Sequence, residues 1–215
     1  MRRPVVVSAA HWLYARVRND EASFYRADPT GYERVVGQFD GRYAVARDFA
    51  SVVRQRCPDG AGLIVDLACG TGLISEQLCR VADRVIGLDL NEGMLAHARS
   101  KSLSNVEFRT GDFHDLSSID DATADAVTQF AASRYLTDPV RHHREIARVL
   151  KPDGFVITSY FEAPGRLREM LAAAAEGGLE VAEERTIPRS LTRPFWKLVG
   201  YRDSSIWILK KSAQA

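Results

Sequence analysis

The sequence predicts an α/β fold built on a doubly wound, mainly parallel sheet. Three observations carry that prediction. From residue 62 onward short apolar runs alternate with helical patterns, the runs are apolar almost throughout, and three in succession lead into an acidic residue. Strands that are apolar along their whole length belong to parallel sheets covered by helices on both faces, whereas half-exposed sheets alternate apolar with polar residues.

Residues 1–60 read as helical. Val35, Phe39, Tyr43, Ala46, Ala50 and Val53 recur at spacings of three or four, which puts them on one helical face, with Asp40-Gly41 as a candidate interruption. Strands follow at 63–67, 84–90, 106–109, 126–130 and 155–160, then two more at 179–187 and 204–210. In the last of these Ile206, Ile208 and Lys210 alternate with Trp207 and Leu209. Between the fourth and fifth strands Asp138 can cap the free amides of a helix, and Pro139 takes its first position without losing a bond. That helix is expected to end at Lys151-Pro152-Asp153-Gly154. The chain divides into a helical region at 1–60 and a sheet core at 61–215, together one compact domain.

Composition narrows the function. With 215 residues, 46% hydrophobic and 27% charged, the chain can bury its own core without a metal or disulfide framework. Lys plus Arg at 29 against Asp plus Glu at 28 leaves a net charge of +1, too little to gather nucleic acid. Cys57, Cys69 and Cys79 lack the close pairing of zinc or redox centres and suit a reducing compartment. The apolar stretch after Met1-Arg2-Arg3 is shorter than the roughly 7 to 15 residues of a secretion signal, and no run reaches the roughly 20 that span a bilayer. The expected location is the cytoplasm, away from membranes. His11, His97, His114, His142 and His143 show no metal-ligand spacing, so no metal is expected.

Residues 64–73, Ile-Val-Asp-Leu-Ala-Cys-Gly-Thr-Gly-Leu, run from a strand through a glycine turn toward a helix. Glycines there let a ligand approach the backbone, and a helix start offers free amides. Asp66 sits inside the end of an apolar strand, where an unpaired charge is costly, so it needs a cationic or hydrogen-bonding partner. Asp89 ends the next strand, 17 residues beyond Gly72, where a carboxylate can accept both hydroxyls of a ribose. Asp112 follows the third strand, placed to accept from an adenine amino group while Phe113 packs on the ring.

This constellation resembles the class I methyltransferases that use S-adenosylmethionine, over roughly residues 62 to 160. Residues 66–72 resemble the family's first motif, Asp89 its ribose-binding acid and Asp112-Phe113 its adenine contact. The stretch 91–99 is similar to its helix after the second strand, and 148–154 to its turn into the fifth. The resemblance implies a seven-stranded Rossmann-like sheet in the order 3-2-1-4-5-7-6 with the last strand antiparallel. It also implies a donor site of Tyr25, Asp66, Ala68, Gly70, Gly72, Asp89, Leu90, Met94, Asp112, Phe113 and Gln129. Ala68 departs from the family's usual glycine and is expected to keep a negative φ. The amino-terminal region, rich in Trp12, Tyr14, Phe24, Tyr25, Tyr32 and Tyr43, is expected to cover the donor and help form the pocket of a small-molecule substrate, with Tyr14 and Arg134 touching it. Where related enzymes often carry a histidine base, this chain has Ser133-Arg134-Tyr135, which leaves Tyr135, His142 and His143 as catalytic candidates.

Four other functions compete. A nicotinamide dehydrogenase would share Gly70, Gly72 and Asp89, but its third small residue is only approximated by Ser75, and Asp66 would repel phosphates. A nucleic-acid methyltransferase is disfavoured by the charge and by Thr128-Gln129-Phe130-Ala131 where many such enzymes carry Asn/Asp-Pro-Pro-Tyr. A nucleotide-binding regulator without catalysis and a protein using the donor for another reaction, such as cyclisation, would carry the same motifs.

Overall fold

The computed structural model describes residues 29–33, 42–159, 164–187 and 204–213. Residues 29–33 are helical. After them come α1 (Arg42–Arg56), β1 (Ala61–Leu67), α2 (Ser75–Leu78), β2 (Ala82–Asp89), α3 (Glu92–Ser100) and β3 (Val106–Thr110). The second half contains β4 (Ala124–Gln129), a 3-10 turn (Ser133–Tyr135), α4 (Pro139–Val149), β5 (Leu150–Ser159), α5 (Pro164–Glu176), β6 (Leu179–Ile187) and β7 (Ser204–Lys211).

The seven strands form one sheet in the order β3-β2-β1-β4-β5-β7-β6. The pairings from β3 through β5 are all parallel, and β7 runs antiparallel to both β5 and β6. This is the Rossmann-like arrangement that the alternating pattern and the resemblance predict. Apolar residues of the strands are buried on both faces. On one, Val65, Leu67, Val127, Val156 and Leu209 pack against Ile146 and Val149 of α4 and Met170 of α5. On the other, Ile64, Ala126, Ile157 and Ile208 pack against Ala46, Phe49, Ala50 and Val53 of α1. The α1 face follows the predicted periodicity; Val35, Phe39 and the Asp40-Gly41 break lie outside the described residues.

Local chemistry sets the helix starts near the carboxyl edge of the sheet. Asn91 caps α3, its side-chain oxygen accepting from the amides of Gly93 and Met94 at 3.1 and 3.3 Å. Asp138 caps α4 by accepting from the amide of Arg141 at 3.0 Å, and Pro139 follows it, as the sequence predicts. The expected turn at 151–154 is built differently. Leu150 already pairs with Ala124, and Phe155 pairs with Ala126, so three extra residues bulge out of β5 rather than separating helix from strand. Lys151 on that bulge reaches Asp125 at 2.7 Å, and Asp125 also accepts from the amide of Leu63 at 2.9 Å, which ties the bulge to β1 and β4.

The long connection between β3 and β4 is held to α4 by Arg148 and Glu145, among others. Arg148 donates to the carbonyls of Leu116 and Ile119 at 2.9 and 3.0 Å, while Glu145 receives Arg148 at 2.8 Å and the amide of Leu116 at 3.0 Å. Guanidinium supplies several donors in a fixed plane, which a lysine could not reproduce.

β2 crosses its neighbours so closely that a Cβ on Gly87 would lie 2.7 Å from Cδ1 of Phe108 and 3.0 Å from Sγ of Cys69. Phe108 and Cys69 are both buried, so neither has open space to retreat into. Gly87→Ala is therefore expected to cost about 1–3 kcal/mol by overpacking. The measurement is urea unfolding: the midpoint should fall with the slope unchanged, and adding Phe108→Leu should recover part of the loss.

Candidate functional site

The carboxyl ends of β1 and β4 meet at a cleft lined by Asp66, Ala68, Gly70, Thr71, Phe130 and Tyr32, among others. Asp66 is 1% exposed and lies beneath it. Its two oxygens accept from Ser75 Oγ at 2.6 Å and Thr128 Oγ1 at 2.8 Å, so a hydroxyl from α2 and one from β4 meet the need that its burial creates. Burial is the largest influence on this carboxyl and pushes its pKa up to about 6; the two hydroxyls pull against that, and nearby Asp89 adds to it. Ser75, which a dinucleotide site would use only for its small size, acts here as the donor to Asp66.

The turn after Asp66 is left-handed at three positions, with φ of 53° at Ala68, 55° at Gly70 and 74° at Gly72. The negative φ expected of Ala68 is thus corrected: the turn imposes the left-handed conformation on a residue with a Cβ, at a cost of roughly 1–2 kcal/mol. Bonds from the Cys69 amide to the Leu88 carbonyl at 3.0 Å and from the Gly72 amide to the Cys69 carbonyl at 2.9 Å hold it there. At Gly72 a Cβ would stand 2.7 Å from Cζ of Phe108, so this glycine is required by both its φ and its neighbour. Asp89 closes the loop from the side. One oxygen accepts from the Gly70 amide and the other from the Asn91 amide, both at 2.8 Å. Burial raises its pKa above the ordinary carboxylate value, and the backbone bonds oppose that rise.

Residues around this centre fall into place unevenly. Met94 is buried in α3, its Cε 3.4 Å from where a Gly70 Cβ would be, and Leu90 is 64% exposed beside Asp89. Phe113 is buried in the core beneath α4. Asp112 is half exposed and accepts from the amide of His114 at 2.9 Å and from its Nδ1 at 2.7 Å. Because the amide of Thr137 donates to His114 Nε2 at 3.2 Å, the His114 proton belongs on Nδ1, facing Asp112. Those bonds, the His114 amide first, hold the Asp112 carboxyl below its usual pKa. Tyr14 and Tyr25 lie outside the described residues, as does the Arg134 side chain.

Tyr32 belongs to the aromatic group that the sequence expects over the donor and does line the cleft, although Tyr25 is the member singled out as a donor contact. The segment that carries Tyr32 is anchored by charge: Lys101, which caps the end of α3, reaches Glu33 at 2.9 Å and Glu76 at 3.2 Å, and His97 lies 3.3 Å from Glu33. No sequence periodicity joins Glu33 to Lys101, so only the fold brings them together.

Residues 65–158 match a family model described as a methyltransferase domain. That match, with the relatives and solved structures that follow, supports a class I S-adenosylmethionine-dependent methyltransferase. It is 36% identical over 125 residues to the demethylmenaquinone methyltransferase of Clavibacter sepedonicus, covering 57% of this chain and 48% of that protein. The chain spans less than two thirds of the length of that relative and of several other curated ones it matches. Its fold is shared with geranyl diphosphate methyltransferase in complex with S-adenosylmethionine, at TM-score 0.62 and 17% identity over 77% of this chain and 85% of that one. The [4+2]-cyclase SpnF shares it equally, at TM-score 0.63 and 18% identity over 77% and 81%.

Within this methyltransferase fold the histidines of α4 are packed groups, which corrects the expectation that one reaches in as a base. His142 is buried with Nδ1 2.9 Å from the Phe113 carbonyl and Nε2 3.3 Å from Oε1 of Gln129. His143 is buried with Nδ1 2.6 Å from the Pro139 carbonyl, and its Cβ fills the space that a side chain on Gly177 would need. Tyr135 is exposed on the 3-10 turn. Among the described residues no three His, Cys, Asp or Glu side chains gather as a metal site, and no helix is long and apolar enough to cross a membrane.

Burial lowers the pKa of His142 to about 3 and that of His143 to about 4. A folded-state pKa below the ordinary 6.5 means that the unfolded chain takes up the proton first, so this contribution is intact above about pH 6.5 and drains as pH falls toward 4. Asp66 has the opposite sign: its raised pKa favours the folded state below pH 3.8 and that benefit is lost as pH rises through 6. Unfolding midpoints measured from pH 4 to 8 should therefore fall less steeply on the acid side in His142→Phe than in the wild type, by on the order of 3 kcal/mol across the window. Asp66→Asn should remove the opposing slope between pH 4 and 6.

Proposed function

We propose that the protein transfers the methyl group of S-adenosylmethionine to a nucleophilic atom of a small molecule. The observation that carries this reading is the Asp89 carboxylate, fixed by the Gly70 and Asn91 amides beside a turn where Gly72 leaves no room for a side chain. Each Asp89 oxygen keeps lone-pair capacity beyond its one backbone bond, which suits the two hydroxyls of a ribose. Exposed Leu90 stands beside it with an apolar surface for the base. A nicotinamide dinucleotide fits less well, because Asp66 opposes pyrophosphate and the Ser75 position is committed to Asp66.

When bound, the sulfonium supplies an electrophilic methyl carbon. What the chain contributes is alignment, exclusion of water and a cation-tolerant wall: Tyr32 and Phe130 line the cleft with Asp66, and aromatic faces and carboxylates both favour positive charge. With His142 and His143 packed, alignment rather than proton removal is the larger part of catalysis in this reading. A small-molecule acceptor is supported by the near-neutral net charge and by the names of the relatives above, and the region 1–60 is read as its cover. The three free cysteines suit the reducing cytoplasm.

The test is thermal unfolding with S-adenosylmethionine, S-adenosylhomocysteine or NAD, in the wild type and in Asp89→Ala. The two adenosyl compounds at 100 times their dissociation constants should each add about 2.7 kcal/mol, and NAD nothing. Asp89→Ala should abolish that gain. Stabilisation by NAD alone would overturn the reading, and product analysis with candidate acceptors separates methyl transfer from cyclisation.

A further inference from the structure

Gln129 ends β4 opposite Leu67 of β1 and Thr158 of β5, is 1% exposed, and precedes Phe130, which lines the cleft. Its Nε2 is one of three buried side-chain atoms without a hydrogen-bond partner among the described residues, while its Oε1 faces both His142 Nε2 at 3.3 Å and Thr158 Oγ1 at 3.4 Å. His142 decides how this amide must be turned. The Phe113 carbonyl can only accept, so the His142 proton sits on Nδ1. The ring stays neutral, because it is buried against the rings of His143 and His114, and the backbone bond and the more distant Asp112 only partly offset that. A neutral ring with its proton on Nδ1 offers only a lone pair at Nε2, and two lone pairs in contact repel.

Half a turn of the amide exchanges nitrogen for oxygen without changing its shape. The NH2 group then donates to His142 Nε2 and Thr158 Oγ1, and the oxygen takes the unpartnered place. We propose that His142 is a positioning residue, not a base: its Nε2 lone pair holds the Gln129 amide so that the oxygen is a free acceptor for an N–H group of the adenosyl ligand. This rests on the donor reading above, since the adenosyl compound is what that edge of β1 and β4 would hold. A buried acceptor left unmade costs free energy in the empty protein, and a ligand N–H recovers it.

The experiment is calorimetric titration of S-adenosylhomocysteine into the wild type, Gln129→Leu, Gln129→Glu, His142→Phe and the double variant His142→Phe/Gln129→Leu, with imidazole 15N NMR on the wild type. Gln129→Leu should weaken binding about tenfold, the size of one hydrogen bond. Gln129→Glu, in which one oxygen shares a proton with His142 Nε2 while the other keeps the free place, should bind within about threefold of the wild type on the same ground. His142→Phe should weaken binding too, and the double variant no more than Gln129→Leu alone. NMR should find His142 neutral and protonated on Nδ1 from pH 5 to 8, whether or not the variants fold. Gln129→Glu binding as poorly as Gln129→Leu would mean that the free end is a donor, and unchanged affinity in Gln129→Leu that only a buried water uses it. Either result overturns the proposal, as does a proton on Nε2. A wild type that does not bind S-adenosylhomocysteine overturns the donor reading and with it the ligand named here, while the NMR result still judges the amide.

Discussion

A carboxylate buried at the end of a central strand must find partners or lose its charge, and the loop above β1 is organised around that demand. Asp66 draws Ser75 from α2 and Thr128 from β4 to its two oxygens. To bring Ser75 back over the strand end, the chain must reverse within the eight residues between them, and it does so through left-handed Ala68, Gly70 and Gly72. The turn is thus the geometric price of pairing Asp66 with α2, and Ala68, Gly70 and Thr71 of the same turn line the cleft. Phe108 of β3 then limits what position 72 can carry.

Asp89 makes the arrangement rigid across strands. Its bond to the Gly70 amide links the first loop to the end of β2, and its bond to the Asn91 amide links that strand to the cap of α3. Two loops and a helix start are fixed to one carboxylate before any ligand arrives, so a ligand meets donors and acceptors already in place. Asn91, occupied by the amides of Gly93 and Met94, orients α3 and thereby Met94 beside Gly70.

The sheet was legible because its signals are local: apolar strands, the Asp138-Pro139 helix start and the acidic strand ends each declare themselves within a few residues. The order of the strands came from resemblance, not from periodicity. What escaped the sequence depends on contacts between distant segments. The φ of Ala68 follows from the Asp66–Ser75 bond rather than from alanine's own preference. The bulge at 151–154 follows from Leu150 already being paired with Ala124. That Tyr32 of the aromatic group reaches the cleft follows from Glu33 being drawn to Lys101, a pairing 68 residues apart. His142 and His143 look like reagents in a sequence and are packed groups in the fold, since α4 turns both toward carbonyls and neighbouring elements.

The partners chosen for the two carboxylates also shape the field in the cleft. Among the described residues neither Asp66 nor Asp89 has an ion pair; Asp66 is held by hydroxyls and Asp89 by amides. Neutral donors satisfy the oxygens without cancelling their charge, whereas an arginine in either place would have done both. Each carboxyl is consequently pushed above its ordinary pKa by burial, and Asp66 further by Asp89. That strain is relieved by a cation and worsened by an anion. A sulfonium compound carrying an ammonium group satisfies the cleft on that ground, while a pyrophosphate would add to the repulsion. The same hydroxyls that make Asp66 tolerable in the core therefore favour a cationic donor over a dinucleotide.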